Sequence, residues 1–143
     1  MKRIIILHLI AFLAFFSAIG CKQSITGADR DAVLAYAEPV SNSILAGYNN
    51  GNYAIYSKDF DEQMKNALTE KVFKQTREMI LGKIGKYQSR EISDVHKKNQ
   101  FIIVLYSGKF EKENNVEVKV VFQKTGDKNL VSGLWFNSPK LRQ

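Results

Sequence analysis

The chain has 143 residues, 45% of them hydrophobic and 24% charged, with a formal net charge of +7. This is ordinary globular composition, which excludes long disorder and collagen-like repeats. A single Cys excludes an internal disulfide framework, and two Pro with nine Gly leave no low-complexity tract.

The chain opens on Met1-Lys2-Arg3, residues 4–19 carry no charge, and Ala18-Ile19-Gly20 has a small-x-small pattern. This is the layout of a secretory signal peptide over residues 1–20. As a helix the apolar run reaches roughly 25 Å, short of the ~30 Å hydrocarbon core, so a cleaved leader fits better than an uncleaved anchor. Cys21 follows at once. Ala18-Ile19-Gly20-Cys21 resembles the lipobox of bacterial lipoproteins, with Ala18 where that family usually carries Leu. The resemblance implies a diacylglyceryl group on the Cys21 thiol; plain cleavage leaving a free thiol is the alternative. Two acyl chains hold a protein stably on a bilayer, whereas one does so marginally. The expected location is therefore extracytoplasmic, with the membrane as a partner through Cys21. Cleavage also removes Lys2 and Arg3. The remaining basic residues are mostly scattered lysines, such as Lys65, Lys71, Lys74, Lys83, Lys86, Lys97 and Lys98. Without clustered Arg or a recognition motif, no nucleic-acid partner is expected. These lysines read as a solvated surface, or as one facing anionic lipid headgroups or envelope polymers.

Residues 22–27 are polar and small, and read together with Cys21 as a tether reaching about 20 Å. Residues 28–143 form a single domain. Val33, Tyr36, Val40, Ile44 and Tyr48 recur at helical spacing. Pro39 either kinks this helix or starts a second one. Asn49-Asn50-Gly51-Asn52 ends it, since Asn and Gly tolerate the left-handed conformation. Residues 53–60 are a short aromatic helical turn, and Asp61 and Glu62 stand at the next helix start, where acids oppose the dipole. Thr69 is an N-cap. Val72, Phe73, Thr76, Met79 and Ile80 form an apolar stripe, and Gly82 closes the helix.

Beyond Gly85 the period becomes two. Residues 87–96 alternate weakly. Residues 101–110 are apolar on both faces, which suggests a central strand covered on two sides. In residues 116–123, Val116, Val118, Val120 and Phe122 alternate with polar neighbours. Residues 130–136 complete the set, with Gly133 leaving room for a bulge. Short polar turns make consecutive strands antiparallel neighbours. The fold class is α+β: N-terminal helices on a curved four-stranded antiparallel sheet.

This order, together with Gly51-Asn52-Tyr53, Phe60-Asp61, Met64, Leu68-Thr69 and Gly133-Leu134-Trp135-Phe136, resembles the nuclear-transport-factor-2-like (cystatin-like) superfamily. Within it, residues 44–136 look like a family of uncharacterised small exported domains. The resemblance implies a sheet wrapped around the helices as a cone with a cavity. It does not carry a reaction across, because fold alone fixes no chemistry.

Catalytic motifs are missing. Asp94 and His96 share a strand face, but two ligands do not make a zinc site, and His96 reads as a surface residue. Gly82-Lys83-Ile84-Gly85-Lys86 lacks the phosphate-loop spacing. Neither a catalytic residue, a metal nor a cofactor is assigned. The candidate pocket lining is Tyr53, Tyr56, Phe60, Tyr106, Phe110 and Trp135, whose rings otherwise simply fill the core. The expected function is binding, of a small apolar ligand or an envelope protein, with a homodimer through the sheet as a further association. The alternative is a cavity enzyme of isomerase or dehydratase type. It would set Tyr56 or Tyr106 beside Asp59, much as ketosteroid isomerase uses Tyr and Asp.

Overall fold

The computed structural model describes residues 20–143. The leader read over residues 1–20 and the Ala18-Ile19 half of the lipobox therefore lie outside the described residues, Gly20 excepted. Among the described residues no helix is long and apolar enough to cross a membrane.

A short strand, β1 (Gln23–Ser24), precedes four helices: α1 (Gly27–Asn50), α2 (Tyr53–Tyr56), α3 (Glu62–Ala67) and α4 (Glu70–Ile84). Pro39 neither ends α1 nor starts a new helix. It sits on the solvent side next to exposed Ala35, whose carbonyl loses its N–H partner where water can replace it. Val33, Ala37, Ser41, Ile44, Leu45 and Tyr48 form the buried face. Gly51 (φ 65°) turns the chain out of α1, and the Asn52 amide returns to the Gly47 carbonyl at 2.9 Å. The Arg77 guanidinium, from α4, donates to the Asn49 carbonyl at 2.9 Å and to that of Tyr48, filling the α1 C-terminus with a cation. Asp61 caps α3 by accepting from the Met64 amide at 2.7 Å, and Thr69 caps α4. Helix α4 runs two residues past Gly82 and stops at Gly85, which has the positive φ (78°).

The strands are β2 (Tyr87–Lys98), β3 (Phe101–Phe110), β4 (Glu113–Thr125) and β5 (Lys128–Asn137). With β1 they make one open antiparallel sheet in the order β1-β2-β3-β4-β5. The sheet therefore has five strands, not four. The added one lies in the segment read as a tether, where two polar residues carry no periodicity of their own. Pairing supplies the order: Gln23 faces Lys97, Ser24 faces His96, and the Ile25 amide donates to the Val95 carbonyl at 2.9 Å. The three hairpin turns are two-residue turns at 99–100, 111–112 and 126–127, tighter than the polar stretches suggest. Asn99 (φ 56°) and Gly126 (φ 61°) supply the left-handed residue in two of them.

Register divides the sheet into two faces. Val95, Val104, Tyr106, Phe110, Val116, Val118, Val120, Phe122 and Val131 point inward and are buried with Ile44, Leu45 and Tyr48 of α1. A bulge at Ser132, beside Gly133, lets Val131, Leu134 and Phe136 all serve that face. Phe101, Ile103 and Leu105 of β3 with Val121 of β4 lie on the other face, partly exposed and outside the core cluster. Their strand is central, but among the described residues helices cover only one side of it.

The β1 segment is also clamped by charge. Lys22 Nζ reaches Asp94 Oδ2 at 2.7 Å, and the same oxygen is 2.9 Å from His96 Nδ1. His96 is buried, not a surface residue. The Lys22 hydrogen bond holds the Asp94 carboxyl below its usual value of 3.8 despite partial burial, and His96 adds to this. The depressed group stabilises the folded state above that value, and the contribution is lost as pH falls below it. Asp94→Asn at neutral pH is expected to speed hydrogen exchange of the Ile25 amide; an unchanged rate would show that strand pairing alone holds the segment. Packing gives a second outcome. A Cβ on Gly47 would sit 2.5 Å from the Tyr56 amide nitrogen, whereas Gly82 faces open space. Gly47→Ala is expected to cost about 1–3 kcal/mol, and Gly82→Ala to add roughly 0.5–1 kcal/mol, both read from urea unfolding midpoints.

Candidate functional site

The interior beneath the sheet is filled rather than hollow. Tyr48 and Phe136 rings lie 5.7 Å apart, Tyr48 and Phe110 6.0 Å, and Tyr56 and Phe73 4.5 Å. Phe60, Tyr106 and Phe110 of the expected pocket lining are essentially without exposure. Tyr53 donates its hydroxyl to the Leu68 carbonyl at 2.7 Å and supports the α3–α4 turn. Tyr56 and Trp135 are the two members of that set that line an apolar groove at the β5 edge.

One polar cluster is set into this packing. Arg90 of β2, its side chain only 7% exposed, places Nη2 3.1 Å from Glu38 Oε2 and Nη1 2.7 Å from Asn42 Oδ1, both on α1. Its guanidinium lies 4.7 Å from the centre of the Tyr106 ring, and the Tyr106 and Ser41 hydroxyls are 3.0 Å apart. Burial works against the Arg90 charge, but the Tyr87 hydroxyl and the Glu38 carboxylate more than offset it. Burial raises the Tyr106 and Tyr56 hydroxyls above the ordinary tyrosine range, so both remain protonated donors at neutral pH. The carboxylate beside Tyr106 is thus Glu38, and Arg90 neutralises it. Two aspartates are engaged elsewhere: Asp61 on the Met64 amide, Asp94 on Lys22 and His96. No side-chain hydrogen bond joins Asp59 to a tyrosine among the described residues. The periodicity held one signal for this cluster: Arg90 occupies an inward position, where a strand otherwise places apolar residues.

Concave apolar surface occurs at the β5 edge. A groove of about 300 Å³ runs between α4 and β5, lined chiefly by Tyr56, Met79, Ile80, Leu134, Phe136 and Leu141. It is open along one side. Met79 and Trp135 are 53% and 50% exposed at its rim. Tyr56 and Thr76, whose hydroxyls have no hydrogen-bond partner among the described residues, are its polar members. A second apolar hollow, about 350 Å³, lies on the outer face between Phe101, Ile103, Lys119, Val121 and Trp135. The indole lies back over Gly133, where a Cβ would meet it, and the Lys119 ammonium sits 4.3 Å above its ring. Polar hollows at the far end of the sheet, around Ser89, Ser107, Lys109 and Asn114, gather no catalytic constellation. Among the described residues no three His, Cys, Asp or Glu side chains group as metal ligands.

Residues 41–132, from the middle of α1 to the β5 bulge, match the model of a family described as Protein of unknown function (DUF3887). No curated protein matches the chain. Glu38 lies just before this matched stretch and Arg90 within it. Glu38→Gln is expected to destabilise the fold by about 1–2 kcal/mol, less than a fully buried pair because Glu38 is partly solvated. Thermal unfolding measures this; an unchanged midpoint would mean that Asn42 and Tyr87 suffice to hold Arg90.

Proposed function

The chain belongs to this DUF3887 family, and from that premise we propose that it is a lipid-anchored extracytoplasmic domain that binds a small apolar ligand in the α4–β5 groove. The finer fold reading is the nuclear-transport-factor-2-like cone, here with its interior packed by side chains and its binding surface displaced to the sheet edge. Support for the anchor comes from the charge-free run before Cys21 and from the lipobox-like Ala18-Ile19-Gly20-Cys21. Support for binding comes from the groove. At about 300 Å³ it lies at the lower end of small-molecule sites, and it combines apolar walls with the hydroxyl-bearing side chains of Tyr56 and Thr76. That combination orients an amphiphile: chain against Ile80, Leu134 and Phe136, polar end toward Tyr56.

The groove carries the reading. Against the enzyme alternative stands the Glu38–Arg90 pair: the carboxylate beside Tyr106 already serves a buried cation and is not free to act as a base there. Trp135 is the sole tryptophan and lines the groove, so its emission reports occupancy. Decanoate, used as the probe, is expected to shift that emission saturably. Met79→Glu should weaken the effect roughly tenfold by setting a carboxylate at the rim against that of the probe. An emission spectrum indifferent to decanoate, or an unaltered titration in Met79→Glu, contradicts the reading. Intact mass of the membrane-extracted protein tests the anchor separately, with a diacylglyceryl group on Cys21 as the expected result.

A further inference from the structure

The outer face of the sheet is not uniform along its strands. At the end nearest Cys21 the register rows carry Lys98, Phe101, Gln123 and Leu130, then His96, Ile103, Val121 and Gly133, then Asp94, Leu105, Lys119 and Trp135. At the far end the rows carry Glu91, Ser107, Glu117 and Asn137, then Ser89 and Lys109. The first half is mostly apolar with Lys98 and Lys119, and the second is polar, with Glu91 and Glu117 against Lys109. Asp94, the one acid of the first rows, is taken up by Lys22 and His96.

The position of Cys21 selects what faces that half. Pairing of Gln23 with Lys97 leaves Cys21 beside the β2–β3 turn. The paired β1 segment and the Lys22–Asp94 contact take up the slack a free tether would have had. A lipid on Cys21 therefore brings the apolar half of the face to the bilayer rather than letting the domain tumble above it. An exposed Trp and a partly exposed Phe flanked by lysines are the side-chain chemistry that settles at headgroup depth: rings among the glycerol groups, ammonium groups on phosphates. The acidic half points away from an anionic surface.

We propose that the outer-face hollow around Phe101, Val121 and Trp135 docks on an anionic lipid surface, with Lys98 and Lys119 on the headgroup phosphates. The proposal rests on the reading of Cys21 as lipid-anchored. It places the mouth of the α4–β5 groove at the membrane, because Trp135 borders both concavities. An apolar ligand would then pass between bilayer and groove without crossing bulk water.

The test uses the full chain processed in cells, extracted and reconstituted into phosphatidylcholine vesicles with or without phosphatidylglycerol. With the anionic lipid, Trp135 emission is expected to shift to the blue and to be quenched by lipids brominated on their acyl chains, while aqueous iodide loses access. The double variant Lys98→Glu with Lys119→Glu should lower brominated-lipid quenching roughly tenfold while the protein stays anchored; the Lys→Arg pair should keep it. Trp135 as open to iodide on vesicles as in detergent overturns the proposal, as does protection from both quenchers, which would mean that a protein or a second copy covers the face. The mass of the same preparation reports Cys21 acylation by itself, so failure of the anchor and failure of the docking face are read separately.

Discussion

An antiparallel sheet has two faces, and the described residues supply helices enough for one. The inner rows of β3 and β4 seat Val104, Tyr106, Val116, Val118 and Val120 on α1, and each of these residues is almost wholly buried. Burial on that scale dominates the folding energy of a small domain and fixes which side of every strand points inward. The remaining features follow from it. Arg90 is forced inward and must be matched by Glu38; Trp135 is forced outward and must lie over a glycine. Asn49 ties the start of the sheet to the end of α1, donating to the Tyr87 carbonyl and accepting from its amide, both at 2.8 Å.

Much of this was legible in the sequence. The change of rhythm near Gly85 is where α4 hands over to β2, and Asp61 and Thr69 cap the helices that their spacing indicated. The misses share a cause: they depend on partners distant in the chain. Gln23 and Ser24 become a strand only because the β2 edge offers hydrogen bonds. His96 is buried although its neighbours in sequence are polar. Gly82 resembles a helix stop, yet the positive φ falls at Gly85. The apolar residues on both faces of β3 suggested cover on both sides, and only one cover lies within the described residues.

The candidate site shows the same division. Composition and pattern marked an aromatic set, and packing then sorted it: Phe60, Tyr106 and Phe110 to the core, Tyr56 to the buried wall of the α4–β5 groove, and Trp135 to the surface. Six aromatic positions therefore did not imply one pocket. The Glu38–Arg90 pair was missed because its members stand 52 residues apart; an inward Arg in a chain whose cations are mostly lysines was the available clue. In the proposed reading, concavity and exposed apolar surface gather around a single residue, Trp135, on the edge strand.

The most direct measurement is hydroxyl-radical footprinting of the protein in membrane-free solution, read residue by residue by mass spectrometry. One-sided cover predicts that Phe101, Leu105 and Trp135 are oxidised while Tyr48, Tyr106 and Phe110 are protected. Equal protection of both sets would mean that something covers the second face as well, and the account would be wrong at its foundation.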